Sequence, residues 1–142
     1  MILVRYADWP DRLTRFLESC RPRKFRYGSH DCCLFAADAV RAITGADIAA
    51  EFRGKYCNRK EALLLARSYS GQSSIRALIE RALVDFPSVN PSFAQRGDLV
   101  LIQRRSDYSL GIVGLNGRDI LKPAEIGLAS LSFTSAVKAW HV

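Results

Sequence analysis

The chain changes character near residue 85, and this change constrains the fold more than any other feature of the sequence. Before it, apolar residues recur at helical spacing, most clearly in Leu13, Phe16, Leu17 and Cys20. After it, short runs of β-branched and aliphatic residues alternate with turn residues, beginning at 99–102. Helices first and strands second favour an α+β fold in which N-terminal helices pack on a small antiparallel C-terminal sheet.

Local signals give the expected elements. A helix is predicted from Asp8-Trp9-Pro10 to just before Pro22, with Asp8 as its N-cap. A second runs from its cap Asp31 to Gly45, which suits the left-handed conformation that ends helices. Two more helices are expected near 59–68 and 74–84, and strands near 99–102, 109–115, 118–122, 127–133 and 136–142. A chain of 142 residues suits one domain spanning 1–142.

The formal net charge of +7 leaves two interpretations open. Basic residues cluster at 21–26, 53–60 and 104–105, as in surfaces that attract nucleic acid or another polyanion. The same clusters suit a solvated face or a face that docks on an acidic partner protein. Because no nucleic-acid motif accompanies the charge, we favour the second interpretation.

Neither a membrane span nor a cleavable signal peptide is expected. No apolar run approaches the roughly 20 residues that a span needs. The start of the chain also lacks the features of a signal peptide, which predicts cytoplasmic synthesis, with incorporation into a virion left open. The four cysteines are expected as free thiols, and no metal or cofactor is expected because they form no C-x-x-C pair.

Cys32 is the residue with the clearest chemical potential. It lies in the first turn of the second helix, where unpaired backbone N–H groups and the helix dipole favour a thiolate. It also begins the apolar face of that helix, so its sulfur should face the sheet. A cysteine hydrolase needs this placement because its base comes from another element. The alternative is a small apolar cysteine buried for packing.

Three short segments resemble NlpC/P60-type cysteine peptidases of the papain-like superfamily. The segment 27–35, Tyr-Gly-Ser-His-Asp-Cys-Cys-Leu-Phe, resembles the nucleophile region, and 97–100 resembles the Gly-Asp-Leu stretch that opens the first main strand. The segment 109–113 resembles the next strand, where the family usually reads His-Val-Gly-Ile-Tyr. The part around 9–56 is most similar to a branch often encoded by phages and prophages. The resemblance implies a papain-like fold with Cys32 as nucleophile.

One departure from the family pattern bears on activity. Ser109 occupies the position of the family histidine, and a serine cannot act as the base at neutral pH. Asn116 or Asp119 corresponds to the polar residue that orients that histidine. His30, two residues before Cys32, is the candidate replacement base, and His141 is a weaker one. Cys33 is expected to turn away from Cys32 and to pack beside Leu34 or Ala37.

Three functions remain open from the sequence. The first is a cysteine peptidase or amidase that, by resemblance, acts on peptidoglycan peptides at a phage tail tip. The second is a catalytically inactive structural or docking component of a phage tail, with other tail proteins as partners. The third and least favoured is a basic nucleic-acid-binding protein.

Overall fold

Four α-helices precede six β-strands in the computed structural model, which describes residues 3–142. The helices are α1 (Trp9–Cys20), α2 (Cys32–Thr44), α3 (Arg59–Ser70) and α4 (Ile75–Ala82). The strands are β1 (Ser88–Val89), β2 (Leu99–Arg104), β3 (Asp107–Val113), β4 (Ile120–Pro123), β5 (Leu128–Leu131) and β6 (Ala136–Trp140). The strands form one sheet in the order β1-β6-β2-β3-β4-β5, and every pairing is antiparallel. The predicted α+β class and antiparallel sheet are confirmed.

Helix α2 is the element that the sequence specifies most completely. The Asp31 side chain accepts a hydrogen bond from the Leu34 backbone N–H at 2.9 Å, which caps the first turn. Gly45 ends the helix in the left-handed conformation with φ of 84°. Between these caps the helix buries an almost continuous apolar face, formed by Phe35, Ala36, Ala39, Val40 and Ile43.

The helices cover one face of the sheet. Helix α2 packs on β3 and β4, α1 packs on α2, and α4 packs on β3. The core between these layers includes Leu99, Leu101, Leu110 and Ile112 from the sheet. The opposite face carries a smaller apolar cluster that includes Val100, Ile102 and Val113, against which Phe133 packs. Because β2 is buried on both faces, it reads in the sequence as a continuous apolar run.

Several predicted details are corrected. Asp8 makes no capping hydrogen bond; its carboxylate instead binds the Arg12 guanidinium at 2.7 Å, one helical turn along α1. The short strand β1 was not predicted, because its residues lie in a proline-bounded loop whose pairing with β6 is long-range. The fourth helix starts after its cap Ser74 and ends at Ala82, earlier than its apolar spacing suggests.

No helix among residues 3–142 combines the length and apolar character that crossing a membrane requires.

Candidate functional site

A cleft of about 660 Å³ opens where the first turn of α2 meets strands β3 and β4. Helices α3 and α4 contribute to one wall, and the loop before α2 contributes Phe25 and Tyr27 to another. This loop is fixed to the β4–β5 turn, because the Phe25 backbone N–H donates to the Glu125 carbonyl at 2.9 Å. The cleft is therefore built by elements from both halves of the chain.

Cys32 lies in this cleft at the start of α2, half-buried, and its sulfur meets the backbone of Leu110 on β3. The sequence predicted this location, a sulfur that leaves the positive end of a helix and faces a strand. Whether the sulfur acts as a nucleophile stays a prediction.

The surroundings of Cys32 lower the pKa of its thiol. The largest cause is a hydrogen bond from the Cys33 thiol, whose Sγ lies 3.9 Å from the Cys32 Sγ. The Leu110 backbone N–H and the positive charge of Lys122 act in the same direction. Burial and the negative charge of Asp31 oppose them. The net effect favours the thiolate, which is the nucleophilic form of cysteine.

Cys33 therefore differs from its expected role. Its side chain does contribute, with Leu34 and Ala37, to a small apolar pocket of about 50 Å³. It also lines the main cleft and donates to Cys32, which together with burial raises the pKa of the Cys33 thiol well above its usual value. The two neighbouring thiols are thus unequal, and Cys32 is the one that ionises first.

Asp31 holds the backbone around this cysteine pair. One carboxylate oxygen caps α2, and the other accepts from the Gly28 N–H at 3.0 Å and from the Tyr56 hydroxyl. Burial and the Asp31 charge raise the pKa of Tyr56, so this phenol stays neutral and donates. Gly28 has a φ of 84°, and a Cβ there would collide with the Tyr56 carbonyl oxygen.

Ser109, the position of the family histidine, lines the cleft on β3 and is half-buried. The two candidate orienting residues lie elsewhere. Asp119 accepts a hydrogen bond from the Asn116 amide at 2.8 Å within the β3–β4 turn, and neither residue lines the cleft. The backbone N–H groups of Arg118 and Asp119 also donate hydrogen bonds to the Asn116 side chain, so Asp119 contributes to the stability of this turn.

His30 is buried on the apolar side of the loop before α2. Its ring packs edge-on against the Phe35 ring, with 6.1 Å between centroids, and it is not among the residues that line the cleft. Neither ring nitrogen has a hydrogen-bond partner within residues 3–142. Burial is the main cause that lowers the pKa of this imidazole. The role of His30 as a base stays a prediction, and its location gives it no support.

His141 also lies outside the cleft, just beyond strand β6. Its Nδ1 lies 2.7 Å from a carboxylate oxygen of Asp98, which is 1% exposed. The other Asp98 oxygen accepts from Arg5 at 3.1 Å and from the Val142 backbone N–H at 3.2 Å. The sequence assigned Asp98 to the turn before β2, and it does accept from the Gln95 N–H there at 2.8 Å. It additionally ties the two ends of the described chain together.

A comparison with protein families matches residues 4–142 to the family described as "Domain of unknown function (DUF6950)". The chain belongs to this family. No curated protein matches the chain.

The basic residues of this DUF6950 domain are only partly free to attract a ligand. Arg53, from the second cluster, forms ion pairs with Asp38 at 2.6 Å and Asp47 at 2.9 Å. At the cleft, the exposed Arg59 lies 3.4 Å from Asp107, which links α3 to β3. Arg104 and Arg105 are exposed at its rim. The rim is therefore more basic than acidic.

Lys122 and Tyr56 are two cleft residues of the DUF6950 domain that act on Cys32 or Asp31 and that the sequence did not single out. Lys122 stands in a short strand whose pairing decides where its side chain lies, and nothing local marks it. Tyr56 follows the bend at Gly54, 25 positions after its hydrogen-bond partner Asp31. Among residues 3–142, no group of three or more His, Cys, Asp or Glu side chains is arranged to hold a metal ion.

Proposed function

We propose that the chain is an NlpC-type, papain-like cysteine hydrolase domain that attacks an amide carbonyl through Cys32. The observation that carries the proposal is the Cys32 sulfur in a cleft, at the positive end of α2 and against the Leu110 backbone of β3. The helices-then-sheet order and the three sequence segments support the same family likeness. By that likeness, the substrate is a peptide of peptidoglycan, met at the tip of a phage tail.

The geometry suits acyl transfer in two respects. The Cys33 thiol, the Leu110 N–H and Lys122 lower the pKa of the Cys32 thiol below its ordinary value, which increases the share of thiolate at a given pH. Since the Asp31 carboxylate already accepts from the Leu34 N–H, the N–H groups of Cys32 and Cys33 are the helix-end donors left for a developing oxyanion.

The test combines alkylation with hydrolysis. Iodoacetamide should label Cys32 near pH 6, with the modified residue mapped by mass spectrometry, and the purified protein should release peptides from peptidoglycan. Cys32→Ala should abolish release. Cys57→Ala is the matched control, because Cys57 is exposed outside the cleft and its pKa is raised by Glu61. Labelling of Cys32 only near pH 9, together with no peptide release, would reject the proposal.

A second candidate is a catalytically inactive structural component of a phage tail. The observation that favours it is that neither of the two histidines lines the cleft. Under this alternative, Cys32→Ala leaves every measured property of the protein unchanged, including its assembly with neighbouring tail subunits. Loss of peptidoglycan cleavage in Cys32→Ala would exclude it.

A further inference from the structure

No histidine within residues 3–142 lines the cleft, but a lysine does. Lys122, on β4, is half-buried and lines the cleft together with Cys32 and Ser109. No carboxylate within residues 3–142 forms an ion pair with it. An ammonium that is partly desolvated and unpaired is a candidate partner for an anion in the same cleft.

The end of the pairing between β3 and β4 places Lys122 at the cleft. The last pair on this side is Ile112 with Leu121. Lys122 lies one residue past this pair on β4 and Ser109 lies three residues past it on β3, and both line the cleft. The Leu110 backbone, which contacts the Cys32 sulfur, belongs to the same part of β3, which pairs with β2 but not with β4.

The charges around the sulfur agree with this arrangement. Lys122 attracts the Cys32 thiolate, whereas the negative charge of Asp31 opposes its ionisation. Asp31 is itself occupied by neutral donors, the Gly28 and Leu34 N–H groups and the Tyr56 hydroxyl. The remaining ionisable groups that line the cleft are Tyr27, Cys33, Arg59, Arg104, Arg105, Asp107 and Tyr108.

We propose that Lys122 replaces the missing imidazole as the charged partner of Cys32, in a thiolate–ammonium pair across the cleft. The role of Lys122 in catalysis rests on the proposed function, whereas the thiolate–ammonium pair does not. In the reaction, the Cys32 thiolate forms a bond to the amide carbonyl carbon, and the C–N bond breaks as the leaving nitrogen takes a proton from the Lys122 ammonium. Water then attacks the thioester and gives a proton to the neutral Lys122 amine. Cleavage of the C–S bond releases the acid and restores the thiolate and the ammonium.

The experiment measures two quantities in the full chain: the pH midpoint of Cys32 alkylation and the rate of peptide release from peptidoglycan. Lys122→Met should raise the midpoint by about one pH unit, since an attracting charge is lost. It should also slow release by about 100-fold, the size of a proton-transfer contribution. Lys122→Arg should keep the midpoint but not the rate, because a guanidinium holds the charge and does not give up a proton. Lys138→Met on β6, half-buried outside the cleft, is the matched control.

The alkylation midpoint tests the thiolate–ammonium pair, and the rate of peptide release tests the proposed function, so the two can fail independently. A folded Lys122→Met protein with the same alkylation midpoint as Lys138→Met overturns the inference, whatever the hydrolysis assay gives. A raised midpoint in a protein that never releases peptides supports the pair and overturns the hydrolase proposal. Full hydrolysis by Lys122→Arg overturns the proton-transfer role. Circular dichroism and the thermal midpoint establish that each variant is folded.

Discussion

Two buried aspartates organise this molecule, and they differ in what they bind. Within residues 3–142, Asp31 accepts only from neutral donors, two backbone N–H groups and the Tyr56 hydroxyl. Asp98 binds the Arg5 guanidinium and the His141 imidazole in addition to backbone N–H groups. Asp31 is therefore a fixed negative charge beside a reactive thiol, whereas Asp98 lies within an ion-pair cluster that joins the ends of the described chain.

Asp31 therefore lies at the candidate site of chemistry, whereas Asp98 contributes to the stability of the fold. At Asp98 an imidazole and a carboxylate are 2.7 Å apart, a pair familiar from catalytic sites, but the cleft cysteine is not with them. At Asp31 the nucleophile candidate is present and the imidazole is absent. The molecule thus has the parts of a Cys–His–Asp site in two places, and the cleft of about 660 Å³ lies at the place that holds the cysteine.

The largest expected effect is on stability at Asp98. Asp98→Ala removes the acceptor of four hydrogen bonds and leaves Arg5 without its carboxylate, so we expect the free energy of unfolding to fall by about 3–5 kcal/mol. Urea denaturation measures this change. Asp107→Ala is the control, because its exposed ion pair with Arg59 should contribute less than about 1 kcal/mol. Equal losses in the two variants would contradict the assignment.

The second largest expected effect comes from placing an imidazole in the cleft that holds the Cys32 thiol. Ser109→His places a base on β3 in the cleft that holds Cys32, so we expect peptide release to rise by about 100-fold. The rate of release from purified peptidoglycan, as a function of pH, measures it. Ser109→Ala should show no such rise, and Ser109→His should be inactive when combined with Cys32→Ala. A folded Ser109→His protein with no gain would argue against the NlpC-type alignment of this strand.

Asp31→Asn tests the fixed charge beside the thiol. Asparagine still caps a helix, but it loses the charged acceptor for Gly28 and Tyr56, so we expect a loss of about 1 kcal/mol in the free energy of unfolding. The alkylation midpoint of Cys32 should nevertheless move to lower pH, because the Asp31 charge raises the pKa of that thiol. Asp119→Asn, whose carboxylate lies in the β3–β4 turn, should leave the midpoint in place. A midpoint that rises in Asp31→Asn would refute this electrostatic account.

How far the sequence predicts this structure depends on the range of the interactions involved. Helix α2 was predictable because its cap, its apolar spacing and Gly45 all lie within one segment, and the location of Cys32 follows from that helix. The pairing of His141 with Asp98 was not predictable, since the two are 43 positions apart and neither lies in a motif. Lys122 was missed for a related reason: its place in the cleft depends on the register between β3 and β4.

The direction of individual side chains was the second feature that the sequence did not predict. Helical geometry predicted that Cys33 turns away from Cys32, but its side chain lines the main cleft as well as the small pocket that it shares with Leu34 and Ala37. In the structure the two sulfurs approach each other. The position of His30 in the sequence likewise suggested the cleft, whereas its ring turns to the Phe35 side. Adjacent positions in a chain do not specify a shared pocket.

The smallest expected effect is the pH dependence of stability caused by His30. Unlike the two buried aspartates, its ring has no polar partner within residues 3–142. Burial lowers its pKa in the folded protein, while in the unfolded chain it titrates near its ordinary value of about 6.5. Below that value the unfolded state binds a proton that the folded state excludes. Stability should therefore be fully present above about pH 6.5 and decline as the pH falls towards the lower folded pKa.

His30→Phe should flatten this decline, because a phenyl ring fills similar space beside Phe35 without binding a proton. Urea denaturation at several pH values between about 7 and 5 measures the slope, within the range where histidine titrates. His141→Gln is the control and should keep the part of the slope that belongs to His30. If wild type and His30→Phe lose stability in parallel over this range, the imidazole is not excluded from protons in the folded protein. The buried, unpartnered ring would then have to open to solvent more readily than its packing indicates.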